Sequence, residues 1–545
     1  MKFSYSKLTP VSAAVLMAVG SYYAVGAVDP VLVPGRTLIV SGAAPVDAAP
    51  TLCVEDADPA TTDTFICDNL RSAVAHANSN GNDIAYDRIL LANGSVHTLT
   101  LRDDLAAEAI EATDNSVGDL DIVTPMNIET ADNALGKATI QGDAGFNDRL
   151  LHINATAGLT NLILTKGQGV HMNGGAIYAG DFGNTTITRC VITDNFASWD
   201  GNFDDPGDPS DDFTTEFQGS GGGIYTKGPL TISSSTLSKN DASTYVGTQL
   251  LEYEKNGNGG AIYASQALTI TDSTIGGEGA ANDAINGGGI QMAGGNPVLI
   301  ERSTLSHNTA VSGGAMNMVS PAVTATIINS TISANHVTDA GGGLNVNGNM
   351  SIRNTTIANN LQDSGGPTST KGAGVNQFNA GTVTMQSTLL ANNYAAALDA
   401  VPLLANCGTT GDGATSVASS GGNLSTDASC AFTELSDQPN VADAKIGPLE
   451  LNDNTLNGNF THALLSGSPA IDRGASTDCP ATDERGVARP QGTVCDVGAY
   501  EVVQVASGGG GGCTIGSGKS PFDPVLPLLA ALGLIGFGLR HFRRG

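Results

Sequence analysis

Through the middle of the chain, aliphatic and hydroxylic residues alternate in short runs. Leu268-Thr269-Ile270-Thr271-Asp272-Ser273-Thr274-Ile275 is representative. A period of two puts the aliphatics on one face of a strand and the hydroxyls on the other. Seven times a glycine-rich step leads into such a strand: Gly174-Gly175, Gly222-Gly223, Gly259-Gly260, Gly288-Gly289, Gly313-Gly314, Gly342-Gly343 and Gly372-Ala373-Gly374. Most are followed by a second strand ending in asparagine, as in Thr331-Ile332-Ser333-Ala334-Asn335. A unit recurring every ~26–31 residues marks a solenoid, in which each repeat buries its apolar face only against its neighbours. Stacked coils place like residues over like. Ile177, Ile224, Ile262, Ile290 and Leu344 are expected to form an inner aliphatic ladder. Asn195, Asn240, Asn308, Asn335 and Asn360 are expected to form an asparagine ladder at a turn, where asparagine tolerates left-handed backbone and bonds to its neighbour in the next coil. The glycine pairs would supply turns with positive φ. The expected fold is all-β: a right-handed parallel β-helix over residues 131–440, with capping regions on either side and a hydrophobic helix at the C-terminus.

The flanks lack the repeat. Residues 28–130 carry one helical stretch, 68–78, with Leu70, Ala73, Val74 and Ala77 on one side. Solenoids need atypical terminal units, so a helix closing the first coil is expected. Residues 441–503 mix Arg473, Arg485 and Arg489 with Asp472, Asp483, Glu484 and Asp496, an expected ion-pair network in a cap that shields the last coil. Two insertions, 196–220 and 241–258, interrupt the coils, and loops on a rigid scaffold often carry function.

Composition agrees with stacked strands: 70 glycines and only 5% aromatics in 545 residues. The formal charge of −29 argues against a nucleic-acid or anionic-lipid partner. Lys2 and Lys7 precede an apolar run and the small residues Val25-Gly26-Ala27, the pattern of a secretory signal peptide over 1–27. Export makes disulfides the expectation for the eight cysteines. Local spacing pairs Cys53 with Cys67, Cys407 with Cys430 and Cys479 with Cys495. Cys190, in a strand pattern, is expected to be a buried thiol. Residues 504–522 form a glycine-rich linker holding Cys513, and 523–545 an apolar helix closed by an arginine cluster.

Three segments resemble known bacterial families. Ile66-Cys67-Asp68-Asn69-Leu70-Arg71-Ser72-Ala73 is similar to the CSLREA region, with Ser72 in place of its glutamate and one extra residue. Gly467-Ser468-Pro469-Ala470-Ile471-Asp472-Arg473-Gly474, then Asp483-Glu484-Arg485-Gly486 and Asp496-Val497-Gly498-Ala499-Tyr500-Glu501, resembles the choice-of-anchor Q-type C-terminal region of surface β-helix proteins. Cys513, Asp523-Pro524-Val525-Leu526-Pro527, the apolar helix and Arg543-Arg544 resemble sorting signals of the JDVT-CTERM type. These resemblances imply a cell-surface protein, a sorting protease in the membrane that removes the helix, and an anchor carried on Cys513.

Catalytic chemistry is harder to find. Parallel β-helices include pectate lyases and polygalacturonases, and a glycosidase needs two carboxylates ~5–9.5 Å apart. The repeat strands offer Asp194, Asp272 and Glu301, with Arg189, Arg302 and Arg353 as bases for an eliminating enzyme and His171, His307 and His336 as isolated turn histidines. No nucleophile motif of the Gly-x-Ser-x-Gly kind accompanies them. Asp204, Asp205, Asp208, Asp211 and Asp212 in the first insertion are the candidate Ca²⁺ ligands, though without EF-hand spacing. They read equally as a solvated acidic loop, and Trp199 beside them as a sugar platform or a packing anchor. No other cofactor is expected. The functional expectation is a non-catalytic exported protein, an adhesin or scaffold binding glycans or surface proteins. The alternative is a polysaccharide lyase or glycoside hydrolase with its site on a face of the coil.

Overall fold

A computed structural model describes residues 33–41, 46–58, 63–79, 85–102, 115–132, 134–170, 172–198, 219–242, 257–363, 371–379, 381–396, 403–411, 417–452 and 458–504. Residues 1–27, Trp199, the five aspartates from Asp204 to Asp212, Cys513 and 523–545 lie outside them.

Every full coil visits four parallel sheets in a fixed order. Thr185–Thr188 lies on face one, Val191–Thr193 on face two, Phe196–Ser198 on face three and Ile224–Thr226 on face four. Among the described residues the four sheets hold 14, 11, 9 and 10 strands. Register is kept from coil to coil. On face four Leu151, Ile177, Ile224, Ile262, Ile290, Met316, Leu344 and Val375 stack in one inner column, all buried. This is the parallel β-helix the repeats predict. The coils begin upstream of the first glycine pair: Ala85–Leu91, Val96–Leu99 and Leu120–Ile122 already pair into faces one, two and four.

The corners between faces explain much of the repeat. Between faces one and two the chain turns through one left-handed residue: Arg189, Ser234, Asp272, Arg302, Asn329 and Asn354 all have φ of 45–53°. The serine after that corner points inward. The Oγ of Ser235 accepts from the Cys190 amide (3.0 Å), that of Ser273 from Ser235 (3.1 Å), and that of Ser303 from Ser273 (3.2 Å). Cys190 occupies the same site, buried, its thiol pushed up to about 11 by burial. The corner between faces two and three builds the asparagine ladder. Each side-chain amide donates to the side-chain oxygen of the next: Asn195 to Asn240 (3.0 Å), Asn240 to Asn282 (3.0 Å), Asn282 to Asn308 (2.9 Å), and on through Asn335, Asn360, Asn393 and Asn406. Asn282, Asn393 and Asn406 extend the five rungs expected from the repeat. At the glycine turns the positive φ falls on the first glycine of each run: Gly174, Gly221, Gly259, Gly287, Gly313 and Gly341. In three of these that residue precedes the expected pair. The next glycine is needed for approach, since a Cβ on Gly222 would lie 2.4 Å from the Asp241 backbone.

The helix runs Leu70–Asn78 and is N-capped by Asn69, whose side chain accepts from the Ser72 amide at 2.8 Å. Leu70, Ala73, Val74 and Ala77 are all buried. Arg71, 1% exposed, binds Asp47 (2.9 Å) and the carbonyls of Gly118 (2.8 Å) and Asp119 (3.0 Å), tying the helix to the first coil. The three expected disulfides, Cys53–Cys67, Cys407–Cys430 and Cys479–Cys495, are present.

The C-terminal region departs from expectation. Phe432 and Cys430, upstream of it, join the main core at the far end of the stack. Residues 459–503 instead pass to and fro over the outer surface of face two as a strap, meeting Thr274 at Asn459, Ser387 at Ala475, Thr304 at Glu484 and Thr356 at Ala499. Asn459 accepts from the Thr274 hydroxyl (3.0 Å), Glu484 from Thr304 (3.0 Å) and Thr331 (2.5 Å), and the Ala499 amide donates to Thr356 Oγ1 (3.0 Å). A second apolar core forms between strap and sheet, from Ala358, Leu389, Ala391, Leu424, Ala444, Leu464, Ala470 and Val497. A charged lid over the last coil is therefore the wrong picture: the region braces a flank several coils long.

Candidate functional site

The four outer faces differ in what they present. Face one carries a column of hydroxyls, Thr186, Thr231, Thr269, Thr326, Ser351 and Thr384, broken by Leu299. Face two is taken by the strap. Faces three and four meet at the turn into which both long insertions, 199–218 and 243–256, and the shorter segment 364–370 are inserted. That placement singles out these two faces as the candidate site.

On face three the outward column reads Phe196, Asp241, Asp283, Thr309, His336, Leu361, Tyr394. Asp241 and Asp283 are in register on adjacent strands, so their backbones are about 4.8 Å apart. The Thr309 hydroxyl donates to Asp283 at 2.7 Å. His336 Nε2 meets Asp363 at 2.8 Å, and Lys371 pairs with Asp339. Two aromatic side chains thus bracket a polar stretch.

On face four the outward column begins with His152 and continues Tyr178, Tyr225, Tyr263, Gln291, Asn317, Asn345, Asn376. The three tyrosine rings are half-buried and stacked, with centroids 5.4 and 4.8 Å apart. Beyond them the amides bond one to the next at 2.8 Å. Beneath the tyrosines lies a buried charged group. Arg149 binds Asp119 (2.5 Å) and sits 5.1 Å from the Tyr178 ring centroid, while His152 Nδ1 lies 3.1 Å from Asp121. Burial, then the neighbouring Asp119, push the Asp148 carboxyl up to about 8. Asp121 is raised as well, mainly by burial.

Of the described residues expected to carry chemistry, Asp272, Glu301 and Arg302 are brought together as an ion-paired cluster at the corner between faces one and two, and the others stay apart. Asp194, Asp272, Arg189, Arg302 and His307 are left-handed corner residues. Arg302 is held by both oxygens of Asp272 (2.7 and 2.9 Å) and by Glu301 (2.6 Å). Arg353 ends a strand of face one. His171, Trp199 and the Ca²⁺ candidates lie outside the described residues, within which no three His, Cys, Asp or Glu side chains converge as a metal site. The tyrosine column went unused in the sequence reading, although its signal is plain: Ile177-Tyr178-Ala179, Ile224-Tyr225-Thr226 and Ile262-Tyr263-Ala264.

No family model matches the chain, and no curated protein is similar to it. Among solved structures, the crystal structure of pectate lyase Pel9A is similar at 14% identity, over 86% of this chain and 97% of its own, with a TM-score of 0.41. The class of protein, a parallel β-helix, is defined by this chain's own strand pairing. A likeness of that degree transfers no activity.

Proposed function

We propose that this is an exported, surface-held β-helix that binds an extended glycan or similar surface polymer along faces three and four without turning it over. The observation that carries the reading is the half-buried stack of Tyr178, Tyr225 and Tyr263, which repeats on three successive coils of face four; beyond it Gln291, Asn317 and Asn376 are buried and, with Asn345, bonded one to the next. A linear polymer meets equivalent groups at each step along such a face. Three disulfides are compatible with an extracellular setting. On this reading residues 1–27 direct export, the apolar C-terminal segment is removed by a sorting protease, and Cys513 carries the anchor. Asp204, Asp205, Asp208, Asp211 and Asp212 would add calcium dependence. The test is incubation of the purified protein with neutral and acidic polysaccharides, with and without calcium. Retention without product is expected, weakened by Tyr225→Ala together with Tyr263→Ala. A polymer that binds the double variant as well as the parent would remove the tyrosine column from the reading.

One observation favours a polysaccharide-active enzyme instead. Asp241 and Asp283 stand in register on neighbouring coils of face three, their strands about 4.8 Å apart, and a glycosidase needs a pair of carboxylates on one face. Release of new reducing or unsaturated ends, abolished by Asp283→Asn, would establish that reading and sink the first.

A further inference from the structure

The last folded residues before the glycine-rich tail are held by a concentration of buried charge. Asp483, Glu484 and Glu501 are fully buried, with Asp496 at 2%, Arg485 at 7% and Arg489 at 8% exposure. Arg485 binds both its neighbour Asp483 (2.7 Å) and the Glu501 carbonyl (2.6 Å), and lies 3.5 Å over the Tyr500 ring. The Glu501 amide donates to Asp483 (2.9 Å). Its carboxylate accepts from the amides of Gln491 (2.8 Å) and Asp496 (2.9 Å) and faces Arg489 at 3.7 Å. The Val502 amide donates to Asp496 (2.7 Å). Glu501 is thus pinned through its amide, its carbonyl and both carboxylate oxygens. Two residues on, at Val503, the compact unit that holds the coils and the strap ends.

Charges buried in this way are a poor source of stability, because desolvation offsets most of their attraction. What they impose is a defined geometry with many short bonds at one point. The strap in turn is tied sideways to the coils at Thr304, Thr331 and Thr356. A pull on the tail therefore reaches the Glu501 knot first and loads the strap along its length. The coils themselves are not peeled from their end.

We propose that the Glu501–Arg485–Asp483 knot is a mechanical clamp, which keeps the body folded when the tail is under tension. The inference rests on the proposed anchoring only for its biological use; the clamp itself is measured on the isolated protein. Cys513 is a natural handle, because the other cysteines are bridged or, for Cys190, buried. A second handle is placed at the exposed turn residue Phe182 by Phe182→Cys. Constant-force pulling through Cys513 should release 459–501 as one step of about 95 Å, because the Cys479–Cys495 bridge, with its sequence separation of 16, keeps that loop closed. Glu501→Gln should shorten its lifetime about tenfold, the equivalent of ~1.4 kcal/mol in the barrier. Pulling between Phe182→Cys and Leu435→Cys, with Cys513→Ser, bypasses the knot, and lifetimes there should not change. Arg485→Lys repeats the comparison should Glu501→Gln not fold. Equal shortening in both geometries would reduce the knot to ordinary stability, and no shortening in the first would remove it altogether; either overturns the clamp. Whether the tail is tethered in cells is settled separately, by the mass of the mature C-terminus.

Discussion

Thr236-Leu237-Ser238 and Thr304-Leu305-Ser306 are the same three residues on the same sheet. In both, the leucine is buried in the coil. In the first, the threonine and serine are half-exposed. In the second they are 0% and 1% exposed, because the strap lies over them, and Thr304 bonds Glu484 and the Phe460 carbonyl. The inner half of the repeat is thus specified locally, by alternation. The outer half takes its meaning from whatever covers it. A hydroxyl column that faces water in one coil is the docking surface for a buried carboxylate two coils later. Burial raises the Glu484 carboxyl well above its ordinary range.

The comparison can be broken most forcefully from the strap side. Arg485→Ala strips Asp483 and the Glu501 carbonyl of their cation, and should cost about 3–5 kcal/mol in chemical denaturation. A loss confined to a separate, earlier transition would show strap and coils unfolding independently. Next is the ladder that both regions share. Asn335→Ala takes the shared acceptor from the backbone and side-chain amides of Asn308 and should cost about 1–3 kcal/mol. Thr304→Val should cost about 1–3 kcal/mol, whereas Thr236→Val should stay within ~0.5 kcal/mol. Equal effects in the denaturation midpoints of that pair would contradict the strap's placement. A further effect is in pH dependence. Asp148 titrates near 8 when folded and near 4 when unfolded. The folded state holds the extra proton in that window, so this residue's contribution falls as pH rises from about 4 to 8. Asp148→Asn should flatten the fall, measured as denaturation midpoints at pH 5 and pH 8.

Architecture was legible because it is repetitive. The glycine runs, the aliphatic column and five asparagine rungs could be aligned by eye. Asn282 escaped because the extra residues around Gly277–Gly279 displace it from the Ser-Thr-x-Asn spacing. The strap escaped for a different reason. Residues 459–503 have no period, and their partners on face two read as ordinary solvent-facing threonines. Arg485 and Glu484 did announce an ion-pair network, but not that it would be buried, nor that Glu501 would replace Arg473 in it; Arg473 stands exposed. The candidate site was half legible. The insertions were visible as breaks in the repeat, yet only the topology shows that the described residues on either side of them close face three and open face four.

The asparagine rungs also set a rule for changing the protein's length. Successive rungs from Asn282 to Asn360 are 26, 27 and 25 residues apart, and wider gaps occur where a loop is inserted. Excising one whole interval, for example 196–240, would bring Asp241 directly after Asn195 and leave Asn195 beneath Asn282. Each donor would still find an acceptor above it. Lineages could therefore gain or shed turns by unequal recombination with little penalty, provided the cut respects the beat and spares the segment clasped by the C-terminal arm.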